Sequence, residues 1–200
     1  MSKKIIAVDI DDVLADSTES IRQLVNDKLG VSLTKDHYKV EGEYWGYYER
    51  VWQAHGIGNQ LSYDVLGEEM SLDQGHVPLL PGASFALAEL SKKFKLVLLT
   101  SRDEAWKKAT ERWVKSHFGD LFDKVFFTEA GGVKKTKGEL CDEIGAKWLI
   151  DDNVEHCKSA LANNVMAVLF GNYGWHMSVP KNIVKCEDWP SVLEFFDGQY

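Results

Sequence analysis

The chain has 200 residues, 44% hydrophobic and 27% charged, which fits one globular domain with room for a modest insertion. With 31 acidic against 23 basic residues the net charge is −8, and this excludes an extended polyanion such as long nucleic acid as a partner. No apolar run approaches the roughly 20 residues of a membrane span. The N-terminal stretch Ile5-Ile6-Ala7-Val8 is too short for a secretory signal, so a cytoplasmic location is expected. The three cysteines, Cys141, Cys157 and Cys186, lie far apart with no CxxC pair and read as free thiols.

Ile5-Ile6-Ala7-Val8 is also the first of several short, continuous apolar runs, the pattern of strands buried on both faces of a parallel sheet. It leads into Asp9-Ile10-Asp11-Asp12-Val13. From residue 16 to 78 the strand rhythm stops. Periodicity there predicts helices over Ser17–Leu29, Gly42–His55 and Tyr63–Met70, the first two closed by Gly30 and Gly56. Beyond Pro81-Gly82 the alternation resumes. A helix carrying Ala83, Phe85, Leu87 and Leu90 precedes the strand run Leu96–Leu99, and Thr100-Ser101-Arg102 follows it. A helix from Asp103 to His117 precedes Val125–Phe127, and one from Thr136 to Ile144 precedes Trp148–Ile150, which ends in Asp151-Asp152-Asn153. A helix over Asn153–Leu161, a strand over Val165–Phe170 and a last helix opening at Asp188-Trp189-Pro190 complete the chain. The expected fold is a doubly wound parallel α/β sheet, with residues 1–15 and 79–200 as the core and 16–78 as a helical insertion after the first strand.

In such sheets ligands sit beyond the C-terminal strand ends. That edge gathers Asp9, Asp11 and Asp12, the Thr100-Ser101-Arg102 turn, Lys137 at a helix start, and Asp151-Asp152. Several carboxylates in one cleft repel unless a cation joins them, and a hard divalent ion with oxygen ligands meets that need. Thr100 and Lys137 then face a substrate anion, with Ser101 and Arg102 beside them, and a helix N-terminus near Lys137 adds partial positive charge. Metal, lysine and hydroxyl together make a phosphate-binding set. Each residue also has a plainer reading: Asp151-Asp152 as a helix cap, the lysines as a solvated face, Gly131-Gly132 as a loop. In the insertion, Tyr44, Trp45 and Tyr48 belong to a dense aromatic group. They read as core packing at helical spacing with Trp52, or as a stacking wall for a base. The six histidines show no ligand spacing and read as surface or packing residues.

Asp9-Ile10-Asp11-Asp12-Val13-Leu14, Thr100 after a strand, Lys137, and Asp151-Asp152 after another strand resemble, in order, the four motifs of the haloacid dehalogenase (HAD) superfamily of phosphatases. The resemblance runs from Ile5 to about Phe170. Asp9 to Asp16 (DIDDVLAD) and Ile150 to Asn153 are most similar to the 5′(3′)-deoxyribonucleotidase-like branch, from which Asp12 departs because glycine is frequent there. The resemblance implies Asp9 as a nucleophile that forms an aspartyl-phosphate and Asp11 as general acid and base. It also implies Mg2+ held by the Asp9 carboxylate, the Asp11 carbonyl and the Asp151/Asp152 pair, with Thr100, Ser101 and Lys137 on the phosphate. Residues 16–78 would be a small helical cap and the substrate a nucleoside monophosphate. Another phosphorylated metabolite such as a sugar phosphate, or a phosphorylatable signalling or binding domain, are the alternatives.

Overall fold

The computed structural model describes residues 3–199; Met1, Ser2 and Tyr200 lie outside the described residues. The chain opens with β1 (Ile5–Val8), then the helices α1 (Ser17–Leu29), α2 (Tyr47–Ala54), α3 (Tyr63–Leu72) and α4 (Ala83–Lys93). Next come β2 (Lys95–Thr100), α5 (Lys107–Phe118), β3 (Val125–Phe127), β4 (Glu129–Ala130), β5 (Val133–Lys134) and α6 (Lys137–Glu143). The last third holds β6 (Ala146–Asp151), α7 (Val154–Ala162), β7 (Met166–Phe170), β8 (Val184–Cys186) and α8 (Trp189–Asp197).

Six strands form one parallel sheet in the order β3-β2-β1-β6-β7-β8. The doubly wound sheet expected from the sequence is present. Its apolar runs are continuous because both faces are covered. Ile6, Val8, Leu98 and Ile150 point into a layer with α4 and α8, while Ala7, Leu99 and Leu149 point into a layer with α6 and α7. Each fully buried Val, Leu or Ile contributes about 1.5–3 kcal/mol, so these two layers dominate the stability of the sheet. The chain departs from β1 to β2 on one side and β6 on the other, and at that switch point the strand ends leave a crevice.

Residues 16–78 hold α1, α2 and α3 around a separate cluster that includes Ile21, Val25, Tyr47, Trp52 and Leu66. Its two connections to the sheet run side by side: Asp16 N–H donates to Pro78 O at 2.8 Å, and Leu80 N–H to Leu14 O at 2.8 Å.

Two local expectations need correction. The helix expected over Gly42–His55 begins only at Tyr47, because Gly46 sits at φ +69°, a left-handed conformation no helix interior accepts. Tyr44 therefore precedes the helix and does not share a helical face with Tyr48 and Trp52. The sixth strand, β8, is a three-residue edge strand with Lys185 exposed, too short and too polar to show as an apolar run. Gly131-Gly132 is the loop expected, the two-residue turn of the β4–β5 hairpin. All three cysteines are free and buried. Among the described residues no helix is long and apolar enough to cross a membrane.

Candidate active site

The site is built from strand ends. Asp9 follows β1, and its N–H donates to Ile150 O at 2.9 Å, which locks the first acidic residue to the strand that ends in Asp151. Thr100 ends β2 and is fully buried. Lys137 is the first residue of α6, set there by a capping box in which Thr136 accepts from Glu139 N–H and Glu139 accepts from Thr136 N–H. Its Nζ lies 2.7 Å from Asp9 Oδ1 and 2.6 Å from Asp151 Oδ2, and the lysine is 1% exposed. One cation thus joins carboxylates from two adjacent strands in the interior. Burial works against its charge, but Asp151 and Asp9 outweigh it and the lysine pKa is raised.

The three aspartates differ in what they are bonded to. Asp151 Oδ1 accepts from Asn153 N–H at 2.9 Å and contacts His156 Nδ1 at 3.1 Å, while Oδ2 holds Lys137. Burial would raise its pKa, yet Lys137 and His156 bring it down to about 2. Asp9 moves the other way, up to about 6, because burial exceeds the help from Lys137 and Asp151 repels it. Asp152 is pushed well up by burial and then by Asp151 and Asp9. Its Oδ2 accepts from Trp175 Nε1 at 2.9 Å, but its buried Oδ1 has no hydrogen-bond partner among the described residues. One oxygen from each of these three carboxylates lies within 4.8 Å of the others. A buried, all-oxygen, net-negative cluster with an unsatisfied carboxylate oxygen fits a hard divalent cation such as Mg2+.

Asp11 faces elsewhere. Arg102 Nε donates to its Oδ2 at 2.9 Å and Nη2 to its Oδ1 at 2.7 Å, and Ser17 Oγ donates to Oδ1 at 2.6 Å. Burial would raise the Asp11 pKa, but Arg102 holds it below the ordinary range. About a third of the side chain (32%) meets solvent, which softens that effect without reversing it; the carboxylate is the resting form. Ser101 is exposed on the same turn as Thr100.

Asp12, at φ +51°, is a non-glycine residue in the left-handed region, which Asp tolerates better than most. Its carboxylate accepts from Thr18 N–H at 3.0 Å and Thr18 Oγ1 at 2.9 Å, and Tyr48 OH lies 3.2 Å away. Tyr48 is thereby turned to the base of the insertion. Tyr44 is half-buried, edge-on to Trp175 at 5.8 Å, and its phenol pKa is raised by burial and then by Asp152, Asp9 and Asp11. Trp45, 71% exposed, packs edge-on against Tyr44 at 5.2 Å.

Sequence reasoning missed the loop after β7 and two histidines. Tyr173 and Trp175 stack at 4.5 Å; Tyr173 OH donates to Asp12 O at 2.6 Å, and His176 Nε2 lies 2.7 Å from Asp152 O. His156 and His176 therefore belong to the aspartate pair and are not plain surface residues. Burial lowers the His176 pKa to about 4, so that ring is neutral and donates its Nε2–H to the carbonyl. Nothing in the local sequence signals these contacts except the density of aromatics in Tyr173-Gly174-Trp175-His176.

No protein-family model and no curated protein matches the sequence. Solved structures do match it along its length. A HAD-superfamily hydrolase from Ehrlichia chaffeensis aligns with TM-score 0.62 at 12% identity, covering 98% of each chain. YfnB from Bacillus subtilis, assigned as a HAD-hydrolase and solved with magnesium bound, aligns at 0.64 and 15%, covering 98% of this chain and 100% of that one. A protein described as a predicted phosphoglycolate phosphatase, from Haemophilus somnus, aligns at 0.64 and 15%, covering 98% and 99%. The chain has the α/β fold of the HAD-superfamily hydrolases. The likeness extends to the fold and does not single out the nucleotidase-like branch.

Proposed function

We propose that this chain is a Mg2+-dependent phosphomonoester hydrolase working through an aspartyl-phosphate on Asp9, with residues 16–78 as its cap and (deoxy)nucleoside monophosphates as substrates. The observation that carries the reading is the buried Asp9–Lys137–Asp151 bridge with Asp152 beside it. An interior array of three carboxylates and one lysine costs stability, and it is accounted for by a ligand that brings both a cation and an anion. Asp9 attacks phosphorus and the ester P–O bond breaks, while Asp11, ionised at rest, takes up a proton from solvent as substrate binds and passes it to the leaving oxygen. Water then attacks the phosphoryl group, Asp11 takes its proton, the P–O bond to Asp9 breaks, and phosphate leaves. Thr100, Ser101 and Lys137 bind the phosphoryl oxygens. Asp152, through its free Oδ1, and Asp9 would hold Mg2+ with the Asp11 carbonyl, while Asp151 fixes Lys137; the bound ion supplies positive charge to the phosphoryl oxygens. Asp9, Lys137 and Asp152 are nearly inaccessible, so in this reading the insertion or the loop after β7 moves to admit substrate. Tyr44 and the exposed Trp45 then offer a stacking face for a base, a contact worth about 1–3 kcal/mol.

The test is phosphate release from ribo- and deoxyribonucleoside monophosphates, sugar phosphates and phosphoglycolate, with Mg2+ and with chelator, for wild type, Asp9→Asn and Trp45→Ala. Asp9→Asn is expected to lose about 1000-fold or more of kcat at unchanged melting temperature. Trp45→Ala is expected to lose selectivity for nucleotides. Stable phosphorylation of Asp9 without turnover would overturn the hydrolase in favour of a signalling domain. A small phosphorylated acid is the second reading, favoured by the phosphoglycolate-phosphatase description of two neighbours; preference for phosphoglycolate with a silent Trp45→Ala would establish it.

A further inference from the structure

Arg102 has two plausible duties beside a phosphate site: to grip the substrate or to hold another residue. The geometry decides between them. Its side chain is 1% exposed, and the guanidinium fork is turned to protein groups. Nε and Nη2 make the paired bonds to Asp11, Nη1 donates to Gln74 Oε1 at 2.6 Å and to Thr110 Oγ1 at 3.3 Å, and the guanidinium lies 5.9 Å from the Trp113 ring centre. Gln74 is itself 1% exposed and donates to Thr110 Oγ1 at 3.2 Å. It sits two residues beyond α3, just ahead of Val77 and Pro78, whose carbonyls accept from Trp113 Nε1 and Asp16 N–H. The network therefore runs from the return connection of the insertion, through Arg102, to the Asp11 carboxylate.

Resting on the phosphatase reading, we infer that Arg102 is the positioning residue for Asp11 and that Gln74 anchors it to the return connection of the insertion. Asp11 follows a strand on a turn, where a carboxylate is free to rotate about two torsions. Two parallel N–H···O bonds fix its plane as well as its place, which a single-point ammonium does not do. About a third of the Asp11 side chain meets solvent, and that face must meet first the leaving oxygen and then the attacking water. A misplaced acid–base residue leaves the nucleophile intact but slows the two proton transfers.

The experiment compares a nucleoside 5′-monophosphate, whose alkoxide leaving group needs a proton, with p-nitrophenyl phosphate, whose phenolate does not. In Arg102→Lys, kcat on the nucleotide is expected to fall about 100-fold with KM within about threefold of wild type. The pre-steady-state burst of p-nitrophenolate should stay within about fivefold of wild type, and phosphorylated Asp9 should accumulate because its hydrolysis still needs Asp11. Gln74→Leu, which leaves the Arg102–Asp11 pair in place, should show the same pattern at about a tenth of the effect, and it serves if Arg102→Lys fails to fold. Equal losses on both esters in the burst phase, or unchanged nucleotide turnover, would overturn the assignment. Wild type alone judges the reading beneath it: neither phosphate release nor burst from either ester would remove the phosphatase itself.

Discussion

The strand-end cluster and the helical insertion are both dry, for opposite reasons. At the sheet edge Lys137, Asp151 and Asp152 are each 1% exposed or less and bear ionisable groups. In the insertion Trp52, Val51 and Leu66 are as deeply buried and carry none, and the Trp52 Nε1–H is satisfied by Tyr38 OH at 2.9 Å. Burying aromatics stabilises a fold directly, whereas burying a cluster of ionisable groups does not. The insertion is held by an apolar core and the strand ends by paired ionisable groups, and the loop carrying Tyr173 and Trp175 is where the two meet.

The largest expected effect breaks that contrast at the charged end. Lys137→Met removes the cation between Asp9 and Asp151 and should cost about 3–5 kcal/mol at pH 7 without Mg2+. Trp52→Ala in the insertion should cost a similar amount, about 3–5 kcal/mol, by leaving a cavity. The two separate when urea denaturation is repeated at pH 5. The carboxylates left by Lys137→Met then protonate and the deficit shrinks, while the Trp52→Ala deficit stays. Equal deficits at both pH values would mean that Lys137 is held by packing of its stem, not by charge.

A smaller effect tests the junction. Trp175→Phe keeps an aromatic ring over Tyr173 but removes the donor that serves Asp152 Oδ2 at 2.9 Å, leaving both Asp152 oxygens without a protein partner. The expected cost is about 1–3 kcal/mol in the Mg2+-free protein, smaller once Mg2+ is added, measured by thermal melts in chelator and in Mg2+. A melting temperature equal to wild type in chelator would show that the Asp152 bond contributes nothing to folding.

The strand ends were legible because a continuous apolar run announces where a strand stops, and the next residue then has an address. Asp9, Thr100 and Asp151 were placed at the candidate site that way, and Lys137 by its position ahead of the helix that carries Leu140 and Ile144. What the run cannot announce is which way a side chain turns. The adjacent acids Asp11 and Asp12 look alike in sequence, yet Arg102 holds one and Thr18 the other. Arg102 was placed near the site by its neighbours, but its partner Asp11 is 91 residues away. Trp175 and His176 were missed for the same reason: their contacts to Asp152 span 23 and 24 residues with no periodic signal between. In the insertion, helical spacing found α1 but overran the start of α2, because a left-handed glycine stops a helix that the aromatic pattern alone would extend.

The smallest effect sharpens the comparison from the insertion side. Glu19, in the first turn of α1, accepts from Arg22 Nε and Nη2 at 2.7 Å each and from Gln23 Nε2 at 2.7 Å. Bonding to Arg22, opposed by partial burial, brings its pKa down to about 2. A carboxylate whose folded pKa lies below its ordinary value contributes stability above that ordinary value and loses it as pH falls towards the folded one. Ionised Glu19 should therefore stabilise the protein fully above about pH 5 and progressively less towards pH 2. Glu19→Gln keeps the shape but not the charge, at a helix N-terminus where negative charge is favourable, so it should cost about 1 kcal/mol at pH 7. Urea titrations of the two proteins should converge as the pH drops to about 2. This dependence has the opposite sign to that of Asp9, whose raised pKa removes stability as pH climbs to about 6. A gap between Glu19→Gln and wild type that persists at low pH would assign the Glu19–Arg22 contact to packing, and the insertion would then owe its stability to its aromatic core alone.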